Sequence, residues 1–204
     1  MQGGIAEFGS VFVDAVQGKE IPLVNTATVE QLAACRDAVR RLPGVFIDPG
    51  YEYSIRAYRF KGRFQVGLSE EEIRPVLTNP AFDQLSILST GASTYIVQKG
   101  TDKGTGLTFV KRYLNQDKPV VAIGHSDQDV PMLEAADFAY ATVNCSAAVR
   151  EMAKRGRCHI VNKPCQTGLL AAVQHRLKAS SPIMIDSSDN LMFGILRAAD
   201  RRPF

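Results

Sequence analysis

Two short stretches of this 204-residue chain hold residue types that suit phosphoryl chemistry. In Lys99-Gly-Thr-Asp-Lys-Gly-Thr-Gly-Leu107, Lys103 stands between Asp102 and Gly104 where the pattern begins a helix. A cation there adds to the exposed N–H groups of the first turn, which favours phosphate. The bland alternative is a solvated surface lysine. In the second stretch, the apolar run Val120-Val-Ala-Ile123 leads into Gly124-His-Ser-Asp-Gln-Asp129. Ligands of open α/β sheets bind beyond the carboxyl ends of the strands, so Asp127 and Asp129 are placed to face a ligand or a hard cation. Equally, they are placed to cap the helix that starts near Val130. A fixed cation for phosphate beside carboxylate for a metal is what magnesium-dependent phosphoryl transfer requires.

The elements that must position these residues fall into two rhythms. After Lys99 the pattern alternates: helix 103–115, strand 120–123, helix 128–135, strand 138–141, helix 147–155, strand 159–161, helix 168–178. Such alternation predicts a parallel sheet with helices on both faces, a doubly wound, Rossmann-like half-domain. Before it, apolar residues at Val29, Leu32, Ala33, Cys35 and Val39 predict a helix over 29–42, with Thr28 in the cap region and Pro43-Gly44 as its end. Strands follow at 44–48, 53–60 and 63–66. Ser69-Glu-Glu-Glu72 starts a second helix, and 85–89 with 94–98 form a hairpin. Residues 24–98 thus read as a small αββαββ module, and 99–179 as half of a doubly wound domain. Ser180-Ser-Pro182 reads as a linker, and Asp186-Ser-Ser-Asp189 caps a C-terminal helix over 191–199.

Hydrophobic content of 45%, charged content of 22% and a net charge of +3 describe an ordinary globular protein able to build a sizeable core. The basic residues are scattered, apart from short clusters at Arg56–Arg63 and Arg150–Arg157, with no aromatic-basic motif. Small anionic molecules fit that charge better than nucleic acid, and no nucleic-acid partner is expected. No apolar run reaches membrane-spanning length and the first residues do not form a signal peptide, so the expectation is a cytoplasmic protein with no membrane partner. Cys35, Cys145, Cys158 and Cys165 contain no CxxC pair and read as free thiols. The weaker alternative is a soft metal site around Cys158-His159 and Cys165. His159 and His175 lack a partner pattern and read as structural. Along Tyr53–Arg59, Ser54, Arg56 and Tyr58 alternate onto one strand face. That face suits a sugar or a carboxylate, or is simply solvated.

Taken together, Lys99–Leu107 and Gly124–Met132 resemble motifs III and IV of the haloacid dehalogenase superfamily. The subtype is the one whose cap is inserted between motifs II and III, as in sugar-phosphate phosphatases related to sucrose-phosphatase and mannosyl-phosphoglycerate phosphatase. Ala6-Glu-Phe-Gly-Ser10 is similar to the segment preceding that cap. Asp137–Tyr140, Val143-Asn144 and Asn162–Leu169 are similar to the closing strands and loops. The resemblance implies a phosphatase of a small phosphorylated metabolite, such as a sugar phosphate, working through an aspartyl-phosphate with Mg²⁺. It implies that Lys103 neutralises the phosphate and that Asp129 orients the metal's waters or the lysine. Asp129 and His125 then belong to the metal site, with Asp127 beside them, while Arg56, Ser54, Tyr58 and Asn144 contact substrate.

The sequence departs from that family pattern in motif I, which should supply the nucleophilic aspartate and a second aspartate two residues later. The nearest match, Val11-Phe-Val-Asp-Ala-Val16, has Val16 in place of the second acid. The Ser/Thr of motif II is also not apparent. His125 stands where an acid usually ligates magnesium, and imidazole is a poor ligand for that ion. Gln128 replaces the usual asparagine. Because the motif I strand is central in such a sheet, an upstream segment, a second chain or a symmetry mate is expected to complete the core. The chain alone is then expected to be inactive. The alternative is a catalytically inactive domain with a ligand-binding or regulatory role.

Overall fold

The fold is that of a computed structural model, which describes residues 3–114 and 118–179. The helix expected over 191–199 lies outside the described residues. Strands β1 (Gly3–Ala6), β2 (Val11–Asp14) and β3 (Lys19–Pro22) form one sheet in that order. Next come α1 (Thr26–Arg40), β4 (Phe46–Ile47), β5 (Ile55–Lys61), β6 (Phe64–Val66), α2 (Glu70–Leu77), β7 (Leu85–Ser89) and β8 (Thr94–Gln98). The remaining elements are α3 (Lys103–Tyr113), β9 (Val121–Gly124), α4 (Val130–Ala135), β10 (Phe138–Thr142), α5 (Ala147–Lys154), β11 (His159–Val161) and α6 (Cys165–Ala179). The described residues divide into two compact units, one of residues 3–5, 13–19, 102–114 and 118–179, the other of 6–12 and 20–101.

The first unit holds the parallel sheet β11-β10-β9, with Tyr140 level with both Ile123 and His159. Its faces separate by strand parity. Ala122 and Ala141 pack with Leu107, Met132, Leu133, Val149 and Met152 from α3, α4 and α5. Val121, Ile123, Tyr140 and Val161 pack beneath Ala171 and Ala172 of α6. Helices therefore cover both faces, as the alternating pattern requires. Helix α6 begins three residues earlier than its apolar spacing predicts. Asn144 Oδ1 accepts from the Cys165 N–H at 3.2 Å and holds the first turn, with Cys165 at φ 47.

In the second unit the antiparallel sheet runs β4-β5-β8-β7, with β6 also pairing with β5. Leu32, Cys35 and Val39 of α1 and Ile73 of α2 bury against Ile55, Ala57, Leu85 and Ile96. Helix α1 starts earlier than its apolar residues suggest, because Asn25, not Thr28, is its cap: Asn25 Oδ1 accepts from the Thr28 N–H at 2.7 Å. Helix α2 has a complete capping box between Ser69 and Glu72. Among the described residues no helix is long and apolar enough to cross a membrane.

Candidate functional site

The site is assembled at the carboxyl end of β9 from two turns. Asp102 caps α3, its Oδ1 accepting from the Gly104 and Thr105 N–H groups at 2.8 Å each, while Thr105 Oγ1 accepts from the Asp102 N–H at 3.0 Å. This fixes Lys103 in the first turn. Gly104 lets α3 approach α4 closely, since a Cβ there would lie 2.4 Å from the Pro131 carbonyl oxygen. Gly124 does the same for the acidic loop, where a Cβ would lie 2.5 Å from Asp129 Cβ. Lys103 Nζ then donates to Asp129 Oδ1 at 2.5 Å, with side-chain exposures of 15% and 6%.

Asp129 Oδ2 accepts from His125 N–H and Ser126 N–H at 2.9 Å each, and from Ser126 Oγ at 2.8 Å. One oxygen of this acid thus ties down the turn before α4 while the other faces the lysine. Burial pushes the Asp129 carboxyl up, but the Lys103 ammonium and the two loop amides outweigh it and hold the carboxyl below the usual aspartate range. Asp127 is exposed. The His125 imidazole is 62% exposed, and its Nδ1 lies 3.7 Å from Asp129 Oδ2, too far for a hydrogen bond.

These residues do not form a Mg²⁺ seat. Mg²⁺ demands oxygen ligands in near-octahedral array. The two Asp129 oxygens already receive one ammonium, two amides and one hydroxyl, and His125 offers nitrogen. Among the described residues no three His, Cys, Asp or Glu side chains converge as a metal set.

Asp14, the nearest match to a nucleophile in the sequence, is committed to a turn. Its Oδ1 accepts from the Val16 and Gln17 N–H groups at 2.9 Å each, and its Oδ2 from the Tyr113 hydroxyl at 2.8 Å. The Gln17 amide and then the Tyr113 hydroxyl hold its carboxyl below the usual range. Asn144 is exposed and caps α6.

The strand residues expected on one polar face, Ser54, Arg56 and Tyr58, have different partners. Ser54 is buried and donates to Glu7 Oε2 at 2.8 Å. Glu7 also accepts from the Glu52 and Tyr53 N–H groups at 3.0 and 2.9 Å, and burial pushes its carboxyl above the usual range. Arg56 and Tyr58 do share a face, the arginine 5.5 Å from the centroid of the tyrosine ring. Arg56 donates to Asp48 Oδ2 at 3.0 Å, Ser93 Oγ at 3.1 Å and Gln65 Oε1 at 3.2 Å. Asp48 and Gln65 escaped the sequence analysis. The only signal for them is the turn Asp48-Pro49-Gly50 and the strand pairing it begins. His159 and His175, read as structural, are stacked at 4.3 Å, and the Tyr140 hydroxyl lies 3.2 Å from His175 Nδ1. All four cysteines are free.

Comparison with known proteins bears directly on this arrangement. Residues 70–172, just over half of the chain, match the model of the haloacid dehalogenase-like hydrolases. The chain belongs to that family. A phosphoglycolate phosphatase of Methanopyrus kandleri is 30% identical over 73% of this chain and 62% of its own length. The chain thus spans about three fifths of that curated relative and less of the others it matches. Among solved structures, BT1666 from Bacteroides thetaiotaomicron, of the phosphatases of this superfamily, superposes with a TM-score of 0.60 at 20% identity, covering 85% of this chain and 73% of its own. The sucrose-phosphatase from Synechocystis sp. PCC6803, solved with sucrose and phosphate, superposes with a TM-score of 0.52 at 13% identity, covering 82% and 71%. At those identities the structural likeness carries the fold alone: an α/β core with a parallel sheet and a cap.

Proposed function

We propose that this chain supplies the cap and the lysine-bearing part of the core of a phosphatase acting on a small phosphorylated metabolite, a sugar phosphate. The observation that carries this reading is the Lys103–Asp129 pair, 2.5 Å apart and largely buried, just beyond the carboxyl end of β9. In this account residues 1–23 and 99–179 belong to the core and 24–98 form the cap. The Lys103 ammonium, fixed by Asp129 and set at the start of α3, offsets charge on the transferring phosphoryl group. The nucleophile is an aspartate supplied by another segment or a second chain. It forms a bond to phosphorus as the bond to the leaving oxygen breaks, and water then cleaves the aspartyl-phosphate. Asp129, with both oxygens engaged, and Asp14, tied into its turn, are poorly placed for that attack.

Phosphatases of this family generally use Mg²⁺, which when bound neutralises and orients phosphate. The loop 124–129 makes no seat for it, so no step is assigned to a metal. The curated relatives are phosphoglycolate phosphatases, and the fold neighbours include a sucrose-phosphatase. Both substrates named there are small phosphorylated molecules.

The test is phosphate release from a sugar-phosphate panel and from phosphoglycolate. The chain would be assayed alone and together with a polypeptide bearing the Asp-x-Asp strand of a full-length relative. Turnover by the assembly that collapses in Lys103→Met supports the proposal. A folded assembly without turnover counts against it. His125, exposed where an acid is usual, favours a second reading: an inactive domain that binds ligand or regulates. His125→Asp in the assembly separates the two. A large gain from an inactive start marks a decayed site, and an already active assembly shows that the histidine is tolerated.

A further inference from the structure

Helix α6 is apolar on two opposite sides. Its inner side lies against the parallel sheet, where Ala171 and Ala172 pack with Tyr140 and Val161. Gly168 lets the helix come close to β10, since a Cβ there would lie 2.5 Å from Thr142 Cγ2. At helical spacing the opposite side carries the row Gln166, Leu170, Val173 and Leu177. Leu170 is 58% exposed and Leu177 37%, with Val173 half-buried between them. No charged residue interrupts the row. The other helices do set charge in water: Glu30 and Asp37 of α1, Glu70 and Arg74 of α2, and Glu151 and Lys154 of α5 are all exposed. A helix that is apolar on both sides is one that is covered on both sides.

Charge and chain length decide what covers the outer row. From Met152 to Ile185 the sequence has no Asp or Glu, and α6 itself carries Arg176 and Lys178. Two copies of α6 laid together would bring basic ends to each other or to the uncharged start of the partner helix, with no acid to pair them. The residues that follow α6 in the same chain have the opposite makeup. Asp186 and Asp189 come with no Lys or Arg before Arg197, and Leu191, Met192, Ile195 and Leu196 recur at the spacing of one helical face. Ser180-Ser-Pro182, directly after α6, is a sequence at which a chain can reverse. The stretch from Ala179 to Leu191 reaches roughly 40 Å when extended, against about 10 Å for the row from Leu170 to Leu177. We infer that residues 183–196 turn back along α6 and bury Leu170, Val173 and Leu177, closing a helical hairpin with their two acids towards the basic end of α6. The inference stands apart from the phosphatase proposal and requires neither a nucleophile nor a metal.

The test is amide hydrogen exchange, read by mass spectrometry, on the full chain and on a free peptide of residues 180–204. The expected result is exchange across 183–196 at least about tenfold slower in the chain than in the peptide. Leu170→Glu combined with Leu177→Glu should return that segment to the peptide's rate, and so should Leu191→Ser combined with Leu196→Ser. Both pairs of substitutions lie away from the sheet, so protection of β9, β10 and β11 is unchanged and shows that each variant is folded. Peptide-like exchange of 183–196 in the intact chain overturns the inference. Protection that persists in Leu170→Glu with Leu177→Glu overturns it too, because the segment then packs elsewhere. Protection that disappears on dilution, with a dimer mass by light scattering at the higher concentration, also overturns it, because the row then meets a second copy.

Discussion

Replacing Lys103 by Met tests the physical core of this account. The ammonium and the Asp129 carboxylate are 2.5 Å apart, with side chains 15% and 6% exposed. At an effective dielectric of about 20 their gross attraction is roughly 6–7 kcal/mol. Desolvating both ions costs several kcal/mol each, so the net value of the intact pair is small. Removing one partner is different, because it strands a buried charge, at a cost of about 3–5 kcal/mol. Three donors remain on Asp129 Oδ2, which favours the lower end of that range, about 3 kcal/mol. With an m-value of about 1.5 kcal/mol per molar urea, the unfolding midpoint falls by roughly 2 M. The chain has no Trp, so far-UV circular dichroism is the suitable probe.

The loss also has a pH signature. In the wild type the Asp129 carboxyl is held below its ordinary range, so its contribution is complete above the unfolded-state value of about 3.9 and is lost as pH falls through the folded value. In Lys103→Met the ammonium that opposed burial is gone, and the stranded carboxylate is relieved by taking up a proton. The gap between the two proteins is therefore widest at neutral pH and narrows towards pH ~4. Asp129→Asn added to Lys103→Met should recover about half of the loss, because the amide oxygen still accepts from the loop and no charge is stranded. A neutral-pH loss under about 1 kcal/mol with no pH dependence would refute the reasoning, since that is how a water-bathed surface pair behaves.

Further outcomes follow from the same geometry. Gly104→Ala, which drives a Cβ to 2.4 Å from a backbone oxygen, should cost at least about 2 kcal/mol in urea unfolding, whereas Gly91→Ala, with nothing within 4 Å, should be near neutral. Ser69→Ala removes half of the α2 capping box and should cost about 1 kcal/mol. It should also weaken the acid dependence of Glu72, held at about 2 first by Arg59 and then by Ser69. Glu72 contributes above the usual glutamate value, and that contribution fades as pH falls towards 2. Millimolar Mg²⁺ should leave the thermal midpoint of the chain unchanged, because among the described residues no three acidic, His or Cys side chains converge on one point, and a clear upward shift would refute that expectation.

Local patterning made part of this molecule readable. The hairpin Leu85–Ser89 and Thr94–Gln98 alternates around a turn at Gly91, and α2 announces itself through Ser69 and Glu72, so both stand in the structure where the sequence puts them. Lys103 and Asp129 could be paired because each sits beside a strand end or helix start whose position short-range signals determine. The features without a local signal are long-range. Nothing near Asn144 in sequence says that it caps a helix 21 residues later. Strand parity placed Ser54 with Arg56, but the pull of Glu7, 47 residues upstream, takes its hydroxyl elsewhere. His159 and His175 meet only because α6 folds over β11. The stacking of Tyr58 on Phe46 needed the β4–β5 register.

The most direct measurement is phosphate release from a sugar-phosphate panel by this chain, by its mixture with an Asp-x-Asp strand polypeptide, and by the same mixture carrying Lys103→Met. The account predicts no turnover by the chain alone, turnover by the mixture, and loss of that turnover in the variant. Turnover by the chain alone that survives Lys103→Met would contradict it, because neither an external nucleophile nor the Lys103–Asp129 pair would then be needed.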